Sequence, residues 1–164
     1  MGESDFFVKT RIELSIARIS ELLGTGVFGN QGVFQESALT EVMVKLHDLL
    51  QTLNQLGHRV SFTEDVADGD VTDLVSRVRN AVCHSGSDAH LLDREHQIKF
   101  TFNVAYGRCN LMTLNGREIT SDYEDDVCFF FGEQKIYLNR HIVKALQEAK
   151  VKYGELYPTP GGPN

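Results

Sequence analysis

The chain has no stretch approaching about eighteen consecutive apolar residues, so no conventional transmembrane helix is expected of it. It has no excess of positive charge: 16 Lys and Arg stand against 23 Asp and Glu, a formal net charge of −7. That balance argues against an extended surface that coats nucleic acid, and leaves room only for a local basic cleft, completed by a second subunit or a partner. It has no C-x-x-C pair. Cys83, Cys109 and Cys128 are an odd, widely spaced set, which excludes a disulfide framework and a structural zinc site and leaves buried free thiols as the expectation. The first residues, Met1-Gly2-Glu3-Ser4-Asp5, are acidic where a secretory signal would be basic, and a cytoplasmic location is expected.

Two glycine and histidine patterns also lack their partners. Gly29 and Gly32 are not preceded by a strand or followed by G-K-S/T, so they mark a flexible connector and not a phosphate-binding loop. His84, His90 and His96 stand six residues apart, not the three or four that place two ligands on one helical face. Asp122, Glu124, Asp125 and Asp126 lack the glycine and terminal glutamate of a calcium loop and are expected to be a solvated acidic segment. No metal or cofactor is expected.

What is present is ordinary globular material: 164 residues, 41% hydrophobic and 24% charged, enough for one domain with a sizeable core. Phe7, Val8, Ile12, Ile16, Ile19, Leu22 and Leu23 predict a first helix from Asp5 to Leu23, capped by Ser4 or Asp5 and stopped by Gly24-Thr25-Gly26. Leu39, Val42, Met43, Leu46, Leu49, Leu50, Leu53 and Leu56 predict a second from about Gln35 to Leu56, with Ser37 as cap and Gly57 as stop. A third starts at Val71 behind Asp70 and Asp73, a capping-box pair, buries Val71, Leu74, Val75, Val78 and Val82, and ends near His84.

The periodicity then changes from helical to alternating. Gln97 to Tyr106 reads as a half-buried strand with Ile98, Phe100, Phe102 and Val104 on one face. Asn115-Gly116 marks a hairpin within Leu111 to Ile119, and Val127–Phe131 and Gln134–Leu138 read as two more strands around Gly132-Glu133. One antiparallel sheet of three or four strands is expected. A last helix is predicted from Asn139, as its cap, to about Tyr153. The fold class is therefore mainly α, a four-helix bundle with a small antiparallel β insert, about 97–138, between helices 3 and 4. Residues 1–157 form one domain, and the Pro- and Gly-bearing tail 158–164 is expected to be disordered.

Chemistry concentrates at the end of the third helix. Arg77, Asn80 and His84 share one helical face at intervals of three and four, turned away from the valine stripe. An imidazole exchanges protons near neutral pH, and a guanidinium neutralises a phosphate with planar hydrogen bonds. The same residues also fit a solvated polar face with His84 near the last carbonyls of its helix. Arg79 and His84 lie about 140° apart on an ideal helix, so they converge only if the helix loosens or a second subunit contributes. Arg77 is the alternative partner of His84, and Arg94 could add charge to the same cleft.

Arg79-Asn80-Ala81-Val82-Cys83-His84 resembles the R-x4–6-H motif of HEPN domains, four-helix bundles that carry it near the end of the third helix, some with a β insert before the last. The resemblance implies a metal-independent endoribonuclease of toxin–antitoxin or phage-defence type. His84 would act as general base on the RNA 2′-hydroxyl, Arg79 would stabilise charge on the phosphate, and Asn80 would orient one or the other. Arg77 and Arg94 would help hold the RNA. A homodimer is implied, with both motifs in one cleft, and an antitoxin or nucleotidyltransferase partner follows from the resemblance alone. Where family toxins carry a modifiable tyrosine behind the histidine, this chain has Ser85-Gly86-Ser87, which puts that control in doubt. The alternative from another class is a non-catalytic HEPN-like module that binds protein or nucleotide, which the acidic balance favours.

Overall fold

Leu39, Val42, Met43, Leu46, Leu49, Leu50 and Leu53 are all within 1% of complete burial, which makes their helix the centre of the molecule. Each such side chain contributes on the order of 1.5–3 kcal/mol on leaving water. This helix, α2 (Gln35–Gln55), packs between α1 (Asp5–Gly24) and α3 (Val71–Cys83), and the last helix, α4 (Lys144–Leu156), also lies against it. The computed structural model describes residues 5–84, 90–93, 98–99 and 101–158. Four helices, with small antiparallel sheets between the third and the fourth, are the fold that the apolar periodicities predict. No helix among the described residues is long and apolar enough to cross a membrane.

The stop of α2 is built as expected. Gly57 takes φ +82°, its N–H donates to the Asn54 carbonyl and that of His58 to the Leu53 carbonyl, the paired bonds of a Schellman motif. The start at Gln35 is as expected, but its cap is not. Ser37 does not cap the helix, which begins earlier, behind Phe34 and without a side-chain cap, while the Gln35 N–H donates to the Gly32 carbonyl. Ser4, one of the two expected caps of α1, lies outside the described residues, as do Arg94 and the tail beyond residue 158.

Among the described residues the insert forms three sheets, not one. β1 (Leu91–Asp93) pairs with β2 (Ile98–Lys99); β3 (Asn103–Tyr106), β6 (Val127–Phe131) and β7 (Gln134–Tyr137) pair in the order β3-β6-β7; β4 (Cys109–Leu114) and β5 (Arg117–Ser121) make a hairpin. Of the single strand expected over Gln97–Tyr106, Ile98–Lys99 pairs in one of these sheets and Asn103–Tyr106 in another, while Gln97 and Phe100 lie outside the described residues. Between its parts Phe102 turns inward, its ring 5.6 Å from Phe131 and stacked 6.4 Å from Phe129. The hairpin turn is as read: Asn115 at φ +50° and Gly116 at φ +77° supply the two positive angles of a type I′ turn.

The three-stranded sheet is apolar on both faces. Phe129, Phe131 and Ile136 enter the core shared with the helices, and Phe28 meets Phe129 edge-on at 5.6 Å. The alternate residues Ala105, Cys128, Phe130 and Tyr137 form a second core under Leu111 and Ile119 of the hairpin. Cys128 is the buried thiol that the composition suggests, and desolvation pushes its pKa up to about 12. Cys83 and Cys109 are exposed, against the expectation of buried thiols, because both fall at element ends outside the packed stripes.

In the acidic segment before β6, Asp122, Glu124 and Asp125 are exposed as expected, but Asp126 is not. The Asp126 side chain is fully buried, and its two oxygens accept from the backbone N–H groups of Asn139 at 2.9 Å and Arg140 at 3.0 Å. It therefore occupies the place expected for Asn139 as cap of the last helix. That helix opens with a π-helical turn, Leu138–Val143, before α4, and the wider turn lets His141 Nδ1 accept from the Tyr137 N–H at 3.0 Å. Asp122 accepts from Lys135, Thr120 and Tyr137. Burial opposes its ionisation, but these donors prevail and hold its carboxyl below the usual range.

Candidate functional site at the end of the third helix

The helix that carries the motif is anchored at its start. Asp70 accepts the Asp73 N–H at 3.1 Å while Asp73 accepts the Asp70 N–H at 3.2 Å, the reciprocal bonds of a capping box. Arg59 spans both carboxylates, at 2.7 and 2.9 Å from Asp70 and 2.7 Å from Asp73. Its guanidinium, with the Asp70 N–H, holds the Asp73 carboxyl below the ordinary range. Thr72 adds a hydrogen bond to the Val60 carbonyl at 2.6 Å. Val71, Leu74, Val75, Val78 and Ala81 are buried, so the inward face is fixed and the outward face is determined by exclusion.

The outward face does not treat the arginines alike. Arg77 is not free for solvent or substrate: its Nη2 donates to the Asp68 carbonyl at 2.7 Å and its Nε to Gln134 at 3.3 Å. It ties α3 to the preceding loop and to β7. Arg79 Nη1 donates to the Asn80 Oδ1 at 3.2 Å. Its Nε is buried with no hydrogen-bond partner among the described residues. Asn80 is exposed, and the pair joins a guanidinium to a side-chain amide. That arrangement suits an anion.

His84 is the exposed residue on which α3 ends, at φ −126° and ψ 72°. Its backbone N–H is shared between the Asn80 and Ala81 carbonyls, at 3.1 and 3.3 Å. Its ring makes no hydrogen bond or ion pair among the described residues. The helix stays regular through Cys83, so Arg79 and His84 keep their separation of about 140° and no hydrogen bond joins them. One chain thus brings together Arg79 and Asn80 but leaves His84 around the helix from Arg79. Arg94, the other expected contact, lies outside the described residues.

His90 is the residue at this end to which sequence spacing assigns no role. It is 3% exposed, its ring meets Phe131 edge-on at 6.3 Å, and its Nε2 lies 2.8 Å from the Ala81 carbonyl. Among the described residues no group of three or more His, Cys, Asp and Glu is arranged to hold a metal ion. A cavity of about 340 Å³ opens elsewhere, in the insert, over Leu92, Leu114, Ile119 and Phe130. Its cations are already engaged, Arg117 by Glu133 and Lys135 by Asp122, and it holds none of the motif residues. No family model, no curated protein and no solved structure matches the chain.

Proposed function

We propose that the chain is an endoribonuclease of the HEPN type that works without a metal ion, as a homodimer. The observation that carries this is the end of α3: an exposed imidazole, His84, free of protein partners among the described residues, close in sequence to a hydrogen-bonded pair, Arg79 and Asn80. The order of three helices, insert and last helix is the order such domains have. His84 takes the proton of an RNA 2′-hydroxyl, and the oxygen attacks the adjacent phosphorus. The bond from phosphorus to the 5′-oxygen breaks, that oxygen takes up a proton, and a 2′,3′-cyclic phosphate remains. Arg79 and Asn80 donate to the phosphate oxygens as their charge grows. DNA, without the 2′-hydroxyl, is inert in this scheme.

The separation of Arg79 and His84 around one helix favours a cleft shared between two copies, where each site draws on both motifs. An antitoxin that covers this helix end is the expected partner, with a cytoplasmic setting. The competing assignment, a non-catalytic HEPN-like module that binds protein or nucleotide, is favoured by the net charge of −7 and by the commitment of Arg77 to internal bonds. The deciding experiment is RNA cleavage by the purified chain in excess EDTA, beside Arg79→Ala and His84→Ala. Cyclic phosphate ends made by the wild type and by neither variant support the nuclease. A folded wild type that cleaves no RNA transfers the assignment to the binding module.

A further inference from the structure

We propose that His90 is a positioning residue for His84, a role that rests on the ribonuclease proposed above. The last four carbonyls of a helix lack partners within it, and the direction in which the chain leaves depends on what satisfies them. In α3 the Ala81 carbonyl accepts twice. One bond comes from the His84 backbone N–H at 3.3 Å, the other from His90 Nε2 at 2.8 Å. A carbonyl only accepts, so the His90 proton sits on Nε2 and the donor is the ring. The ring cannot swing away easily, since it is 3% exposed and meets Phe131 edge-on. Phe131 belongs to the sheet packed on the helices, so the insert fixes His90, His90 fixes Ala81, and Ala81 fixes the turn from which His84 projects.

Helix endings are commonly fixed by a glycine in the left-handed region, as at Gly57. Here His84 itself is the ending residue, at φ −126° and ψ 72°, and the buried histidine supplies the missing restraint. His90 Nδ1 is buried with no partner among the described residues, so only one edge of the ring is used. The side chain is not a second catalytic base, because it does not reach solvent.

This one-edged use gives a sharp test. Glutamine carries its amide nitrogen as many bonds from Cβ as histidine carries Nε2, whereas asparagine carries its own one bond short. His90→Gln should therefore keep the bond to Ala81, and His90→Asn should lose it with a similar loss of aromatic packing. Steady-state cleavage of a short RNA should show kcat within about threefold of wild type for His90→Gln. It should fall about 10- to 100-fold for His90→Asn at nearly constant KM, the loss that follows from a misplaced reacting group. Hydrogen exchange at the Cys83 and His84 amides should speed up at least tenfold in His90→Asn and stay near wild type in His90→Gln. Equal behaviour of the two variants in exchange would overturn the proposal, as would His90→Asn matching wild type. A wild type without cleavage defeats the nuclease assignment alone, while the exchange comparison still decides whether His90 holds the turn.

Discussion

Asp126 and Asn139 are thirteen residues apart, and the carboxylate of the first accepts the backbone N–H of the second at 2.9 Å. With the Arg140 N–H at 3.0 Å and the Val127 N–H at 2.8 Å, this buried charge begins the last helix from outside it. The positive end of the helix and Arg140 Nη1 at 3.2 Å compensate the charge.

Removal of that carboxylate should therefore be costly. Asp126→Ala leaves three backbone donors without their acceptor, although Arg140 keeps Asp125, and should lower stability by about 2–4 kcal/mol in urea unfolding. Asp126→Asn retains one oxygen and should lose measurably less. Equal stability of wild type and Asp126→Ala would show that the backbone donors find other partners.

The arginines of α3 should separate by role. Arg77→Ala deletes bonds to Asp68 and Gln134 and should reduce stability by about 1 kcal/mol. His84→Ala, at an exposed helix end, should unfold within about 0.5 kcal/mol of wild type while it abolishes cleavage. Thermal melts set beside the cleavage assay distinguish the two.

A shared cleft makes a prediction about mixtures. If Arg79 of one copy works with His84 of the other, unfolding and refolding Arg79→Ala with His84→Ala in equal amounts should restore activity. Half of the dimers are then mixed and each has one intact site of two, so about a quarter of wild-type activity is expected for random assembly. A mixture as dead as its components places both residues of each site within one copy.

His141 gives a pH dependence. Desolvation holds the buried ring below its ordinary pKa, although the Asp65 backbone carbonyl and the charges of Asp65 and Asp126 oppose this; Arg140 acts with the burial. Its Nδ1 accepts from the Tyr137 N–H, and Nε2 is buried without a well-formed bond. The unfolded chain gains a proton there as pH falls through about 6.5, while the native ring stays neutral. The stability that depends on the neutral ring is thus complete above that pH and declines below it. His141→Asn, whose oxygen can accept from Tyr137, should show a flatter fall between about pH 7.5 and 5.5 in urea unfolding. A parallel fall in both proteins would assign the dependence to other groups.

How much of this is legible in the residues depends on how far apart the partners lie. The Leu39–Leu53 stripe, the Asp70–Asp73 box and Asn115-Gly116 are local signals, complete within a few residues, and each appears where the sequence places it. Asp126 is not legible, because its partners follow a hairpin of the same sheet and its neighbours Asp122, Glu124 and Asp125 make it look solvated. The division of the Gln97–Tyr106 strand depends on Phe102 choosing Phe129 and Phe131, a tertiary preference with no local trace. At the candidate site, spacing finds Arg79, Asn80 and His84 but cannot tell which arginine is engaged. Arg77 is, through Asp68 and Gln134, and no local signal marks His90 as the donor to a helix carbonyl.

The sheet that is apolar on both faces also bears on modularity. An appendage that can be excised covers a host surface with one side and shows a polar side to water. Here Phe129 and Phe131 fill the helical core while Cys128 and Phe130, which alternate with them in sequence, fill another beneath the hairpin. A shortened chain that joins α3 directly to the last helix would expose that helical core and would not survive as a minimal version. Loss of the hairpin alone would strip one layer from aromatic side chains that are now dry. The insert is a structural member of the bundle, and homologues that lacked it would need a different set of core residues in the helices that remained.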